Sequence, residues 1–308
     1  MNGDAPVLWI AVPTAVAGAA SFGLASAVQH RVTKEVTEHR MLRPGFLFGL
    51  IRKPVWLLSI VTVVVGLSLQ VVALAFGPLV LVQPLLVTSV LFGAAFAAWM
   101  AHRKLDLVLA AGGFACVGGL SAFLVLARPE GEGGGFTGAP VAPLAIVLGV
   151  IVVGAVLAAR RFRGEIGAIS LAAATGVLYG ITAGLMKVVA DQVRASGVAE
   201  PFGHWTLYVV CVIGPVGFLL SQQTFQRGKL ISPALAVITT IDPLVSAAIG
   251  VSWFGERLDL SPAILAGEIV ALLVLIAGVA VLTHRSEQLR RHLDRRHRSA
   301  GSTGLTWG

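Results

Sequence analysis

Residues 52–104 read RKPVWLLSIVTVVVGLSLQVVALAFGPLVLVQPLLVTSVLFGAAFAAWMAHRK. Between Lys53 and Arg103 there is no Asp, Glu, Lys or Arg. A bilayer core of about 30 Å is crossed by about 20 helical residues rising about 1.5 Å each, so a run of this length crosses twice. The basic residues at its two ends then lie on one side of the membrane, with residues 76–78 forming the turn on the other.

The same criterion reads nine spans along the chain, at 8–29, 55–75, 79–100, 106–126, 141–159, 166–190, 205–224, 230–254 and 261–284, with ends uncertain by about 2–4 residues. The linkers leave too little chain for a soluble domain. A composition with 56% hydrophobic and 12% charged residues agrees, because a soluble globule carries about 25% charged residues. The expectation is an all-α polytopic membrane protein with nine transmembrane helices. Its opening segment reads as a span and not a cleavable signal, since Asp4 is the only charge before an apolar run too long for a signal core.

Lys and Arg fall on alternate loops. Arg31, Lys34, Arg40, Arg43, Arg52 and Lys53 lie on the first, and Arg103, Lys104, Arg160, Arg161, Arg163, Arg227 and Lys229 come later on the same side. The tail adds six arginines between Arg285 and Arg298. The opposite set holds only Arg128, Arg194 and Arg257. Positive charge is retained in the cytoplasm, which places the N-terminus outside and the C-terminus inside. Trp9, Trp56, Trp99, Trp205 and Trp253 fall near span ends, where an indole prefers the interface. The same rule accounts for a pI near 10.3, so the charge implies no nucleic-acid partner. The tail, residues 285–308, reads as a solvated topogenic segment, with Leu289 and Leu293 offering it the alternative of lying along lipid headgroups.

The two halves repeat. Ala19, Gly23 and Ala27 are matched 157 positions later by Gly176, Gly180 and Gly184, and Phe22 and Tyr179 both precede the central glycine. Lys104-Leu105-Asp106-Leu107 is matched by Arg257-Leu258-Asp259-Leu260 at a separation of 153. The expected frame is two inverted four-helix repeats, spans 1–4 and 6–9, joined by span 5 as the linker that reverses the direction of the second repeat. Residues 1–126 form the first repeat, 127–163 the outer Gly-rich loop and linker, 164–284 the second repeat and 285–308 the tail. The small-residue faces with Gly23, Gly176, Gly180 and Gly184 would be packing surfaces or hinges between helices.

Catalytic chemistry finds no support. Cys116 and Cys211 lie within spans, where low dielectric keeps a thiol protonated. The seven histidines sit in loops, in the tail or at span edges without metal-ligand spacing, and there is no nucleophile elbow, phosphate loop or paired carboxylate set. An enzyme is not expected, and no cofactor is called for.

Ile241-Asp242-Pro243-Leu244-Val245-Ser246-Ala247-Ala248, with Phe254-Gly255-Glu256-Arg257-Leu258 and then Gly267 and Gly278, resembles the repeat signature of the EamA-like group of the drug/metabolite transporter superfamily. Phe76-Gly77-Pro78-Leu79-Val80-Leu81-Val82-Gln83-Pro84-Leu85 with Ser89-Val90-Leu91 is similar to its NIPA-like branch, whose members are described as magnesium transporters. Arg103 stands where the 153 offset pairs it with Glu256. Small multidrug antiporters carry a Glu in their first helix, and neither 8–29 nor 166–190 contains an Asp or Glu.

An ionisable group inside a bilayer costs roughly 2.5–3.5 kcal/mol on insertion scales, so each asks for a reason. Asp242 lies about midway through its span, before Pro243, which removes the amide partner of the Thr239 carbonyl. Thr239, Thr240 and Asp242 would offer oxygens to a cation or an organic amine there. The alternative is an Asp that satisfies the proline-broken helix. Tyr179, Gln70 and Gln83 could line a path or bond between helices. Lys187 and Glu268 lie at compatible depths and could form a gate pair, a fixed pair, or a snorkelling lysine and a lone acid. Glu256 and Arg257 are expected at the outer surface, serving the turn and each other.

The function expected is a secondary transporter or facilitator in the cytoplasmic (plasma) membrane of a high-GC bacterium, moving a small molecule or cation by alternating access. A lone midplane carboxylate leans toward an organic solute over an Mg²⁺ permease, with Asp242 the metal ligand if a cation is carried. A non-transporting membrane scaffold is the reading from another class. Lipid is a necessary partner, and a homodimer is left open.

Overall fold

The structure, a computed structural model, describes residues 5–35, 54–100, 107–127, 141–162, 165–227, 231–256 and 261–303. They are helical nearly throughout: α1 (Ala5–Glu35), α2 (Pro54–Phe76), α3 (Leu79–Val87), α4 (Ser89–Met100), α5 (Leu107–Ala127), α6 (Val141–Arg161), α7 (Glu165–Ser196), a 3₁₀ turn (Glu200–Gly203), α8 (Trp205–Arg227), α9 (Ile231–Phe254) and α10 (Pro262–Thr303). Seven stretches among them are long and apolar enough to cross a membrane, and the apolar runs Ala111–Phe123 and Trp205–Ser221 are shorter. Each expected span is therefore helical over its described residues. The Lys104–Asp106 and Arg257–Leu260 parts of the second sequence match, and the loop from Gly131 to Gly138, lie outside the described residues.

The span expected at 79–100 is two helices. Pro84 offers no amide to the carbonyl one turn behind it, and the helix ends at Thr88. There the Thr88 hydroxyl donates to Leu85 O at 2.6 Å and its amide to the same carbonyl at 3.2 Å. Pro243 has no such effect, and α9 runs past it unbroken.

In lipid there is no hydrophobic drive to bring helices together, so close backbone approach and dispersion must do so, and glycine allows it. α7 lies on α9 along one glycine face. A Cβ on Gly176 would sit 2.8 Å from Ile241 Cβ, on Gly180 2.6 Å from Val245 Cβ and 3.0 Å from Asp242 O, and on Gly184 2.6 Å from Ile249 Cγ2. α1 lies on α4 in the same manner, with Gly23 2.7 Å from Ser89 O on that measure. Two aromatic rings fill the next groove over: Phe22 packs on Gly66 of α2 and Tyr179 on Gly217 of α8. α5 and α10 run antiparallel, Gly119 against Leu275 and Gly278 against Cys116.

The buried apolar core is densest around the α2–α3 junction, where Leu74, Leu79, Val82, Leu85, Ile249 and Phe254 are sealed. α6 is the opposite case, with Ile146, Val150, Val153 and Leu157 all exposed, as suits a helix bathed in lipid on most of its surface. Trp9, Trp99 and Trp205 are exposed as interface residues should be, whereas Trp253 is 4% exposed and belongs to the core.

Candidate functional site

Asp242 is near the middle of α9 and half-buried. One turn on, Ser246 Oγ donates to Asp242 Oδ1 at 3.4 Å. Gly180 lets α7 come close enough to set Tyr179 nearby: the phenol lies beside Ser221 of α8 and within electrostatic reach of Asp242. Three helices thus bring one carboxylate and three hydroxyls to one level. Ser221 and Ser246 are additions to the residues expected from sequence, although Ser246 is the i+4 neighbour of Asp242 and so shares its helix face.

Thr239 is buried and Thr240 half-buried, and each has a partner. Gln70 is buried in α2, with its backbone against α1 at Gly18. Gln83 is 4% exposed on α3, and its Nε2 has no hydrogen-bond partner among the described residues. Among those residues no three His, Cys, Asp or Glu come together as a metal cage. The chemistry at Asp242 is a single carboxyl with the Ser246 hydroxyl on it and the Tyr179 phenol within electrostatic reach. That set suits a cation that keeps part of its water shell, because Mg²⁺ dehydrates reluctantly and is held by one or two carboxylates.

The second charged centre differs from the expected Lys187–Glu268 pair. Lys187 is 1% exposed, and its ammonium donates to Leu74 O at 2.7 Å and Gly77 O at 3.1 Å and pairs with Asp191 Oδ1 at 3.4 Å. These contacts use the three ammonium hydrogens and leave none for Glu268. Depth, on which the expected pair rests, fixes height along a helix but not direction around it, and Asp191, at i+4, shares the face of Lys187. Asp191 falls just beyond the expected span, which closes at residue 190, whereas α7 runs to Ser196. Arg194, one turn further, donates to Ala75 O at 3.1 Å and lies over the Phe76 ring at 5.3 Å.

Glu256 also departs from expectation. It is 8% exposed, and its carboxylate accepts from Leu79 N at 2.6 Å and Val80 N at 3.0 Å, the first amides of α3. The sharp turn that delivers it passes through Gly255 at φ +62°, a left-handed conformation open to glycine, and Glu256 N closes on Gly250 O at 3.0 Å. Gly250 makes room for the carboxyl, since a Cβ there would run into it. Open amides at a helix start attract a carboxylate strongly, which is why Glu256 reaches inward instead of resting on the surface. Arg257 lies outside the described residues.

The sequence profile of a family described as "Magnesium transporter NIPA" matches residues 7–288. An uncharacterized protein of Corynebacterium glutamicum is 27% identical over 283 residues, which is 90% of this chain and 96% of its own length. No solved structure matches the chain.

Proposed function

The chain belongs to the magnesium transporter NIPA family and is a multi-pass membrane transporter, and from that premise we propose that it passes Mg²⁺ across a bacterial plasma membrane. The observation that carries this reading is the placement of Asp242. It is a half-buried carboxyl midway along a membrane helix, bonded by the Ser246 hydroxyl and within electrostatic reach of Tyr179, whose phenol lies beside Ser221. Such a centre holds a partly hydrated divalent ion by one charge and several hydrogen bonds, weakly enough to release it. Movement is by alternating access, with the ion exposed first to one side and then to the other.

The frame we propose is two inverted four-helix repeats, residues 1–126 and 164–284, joined by α6, with the N-terminus outside and the C-terminus in the cytoplasm. Repeated contacts support it. Gly23 meets the carbonyl of Ser89 and Gly180 that of Asp242, and these pairs are related by the same 157 and 153 offsets that the sequence carries. Phe22 on Gly66 and Tyr179 on Gly217 repeat in the same sense. The scaffold is then symmetric around an asymmetric charge, because the residue equivalent to Asp242 is Ser89. Gly23, Gly176, Gly180 and Gly184 are the surfaces about which the halves rock.

The test is flux into liposomes that hold purified protein and an Mg²⁺ indicator. Wild-type protein should admit Mg²⁺ far faster than empty liposomes. Liposomes that stay dark with Mg²⁺ but take up an organic cation would move the assignment to an organic solute, and failure with every cation would favour the scaffold.

A further inference from the structure

A break between two helices exposes the last carbonyls of one and the first amides of the next. The break between α2 and α3, at Gly77 and Pro78, has both ends closed by charges from far along the chain. On the carbonyl side are Lys187, bonded to Leu74 O and Gly77 O, and Arg194, bonded to Ala75 O. On the amide side is Glu256, bonded to Leu79 N and Val80 N across 177 and 176 residues. Each charge opposes the partial charge of the helix end it meets, which makes these contacts stronger than neutral hydrogen bonds. Glu256 also lies within electrostatic range of Lys187 and Asp191, so the groups form one cluster.

The cluster and the candidate ion site hang on the same two helices. Lys187 is about 12 Å along α7 from Tyr179, and Gly250, against which the Glu256 carboxyl folds back, is about 12 Å along α9 from Asp242 at the helical rise. α7 and α9 cannot move away from the α2–α3 junction without breaking the bonds of all three charged residues. We propose that Lys187, Arg194 and Glu256 form the gate that closes this end of the transport path, the outer end when the N-terminus is outside, and that opening to that side consists in their release from residues 74–80. This rests on the transport reading. The present structure is the closed state at this end, with Lys187 and Val80 sealed from solvent.

The experiment reads the gate without reading the cargo. In protein carrying Cys116→Ala and Cys211→Ala, a Val80→Cys reporter is labelled in liposomes with a membrane-impermeant maleimide. Val198→Cys, at an exposed site, serves as the control. With the gate intact the reporter should react slowly, and Glu256→Gln and Lys187→Met should each raise its rate at least tenfold while the control is unchanged. In a second arm, Leu79→Cys with Glu256→Cys is bridged by a short, reducible bifunctional thiol reagent. Bridging should stop transport, and reduction should restore it. Unchanged labelling of Val80→Cys in folded variants would overturn the proposal, and so would transport that continues through the bridged protein. If no Mg²⁺ moves in wild-type liposomes, the labelling rates still report on the gate, so the two readings fail separately. Should both charge variants fail to fold, the bridging arm decides.

Discussion

Asp242 is the one acidic group of the candidate ion site among the described residues, so its replacement by an amide is the most direct perturbation. Asp242→Asn should lower Mg²⁺ flux at least tenfold while leaving the protein monodisperse on size exclusion; flux at the wild-type rate would remove Asp242 from the mechanism. Glycines give a second contrast at this scale. Gly180→Ala pushes a methyl into Val245 and the Asp242 carbonyl and should cost about 1–3 kcal/mol, whereas Gly149→Ala, with nothing within 4 Å, should be neutral or stabilise by up to about 1 kcal/mol. Thermal unfolding in detergent distinguishes them. Asp242 is legible in the sequence because a charge in an apolar span demands a reason. The partner of Lys187 is not, because helical rise gives depth alone, and depth alone points to Glu268. The i+4 rule applied to Lys187 points directly at Asp191, but only once the helix is allowed to run past residue 190.

At the scale of elements, the ends of helices matter more than their middles. α7 is 32 residues long and reaches past the apolar zone to bring Lys187, Asp191 and Arg194 to the α2–α3 break. Lys187→Met should destabilise the protein by about 3 kcal/mol, because it leaves the Asp191 carboxylate and two buried carbonyls without their cation. Adding Asp191→Leu should recover part of that loss, since an apolar pair replaces a stranded charge. Denaturant unfolding of the single and double variants measures both. Composition alone locates the membrane elements, since twenty apolar residues have few alternatives. It does not place the turn at Thr88, because the run from 79 to 100 is apolar on either side of it and the effect of Pro84 depends on its neighbours. Pro243, with the same chemistry, leaves α9 whole.

For the whole molecule, topology is read from the loops and not from the helices. A fluorescent protein fused after residue 308 should fold and fluoresce in the cytoplasm, while alkaline phosphatase at the same position should stay inactive; the reverse result would invert the orientation. The family match ends at residue 288 although α10 continues to Thr303, so a chain truncated after Gln288 should keep transport within about twofold of full length. The proposed repeat rests on two offsets in the sequence, and the contacts of Gly23 and Gly180 obey them. The reach of Glu256 to α3 is not visible, because nothing in a local pattern tells a carboxylate which distant helix end it will meet.

That reach bears on how the protein is made. A ribosome adds about 5–20 residues per second, so the amides of Leu79 and Val80 emerge roughly ten to forty seconds before the carboxylate that will cover them. Over that interval the nascent first half holds a bare polar kink inside or beside the bilayer, and it must borrow water, headgroups or an insertion factor. A gene cut at the linker would therefore deliver an incomplete N-terminal piece, and activity would return only when both fragments are synthesised in the same cell.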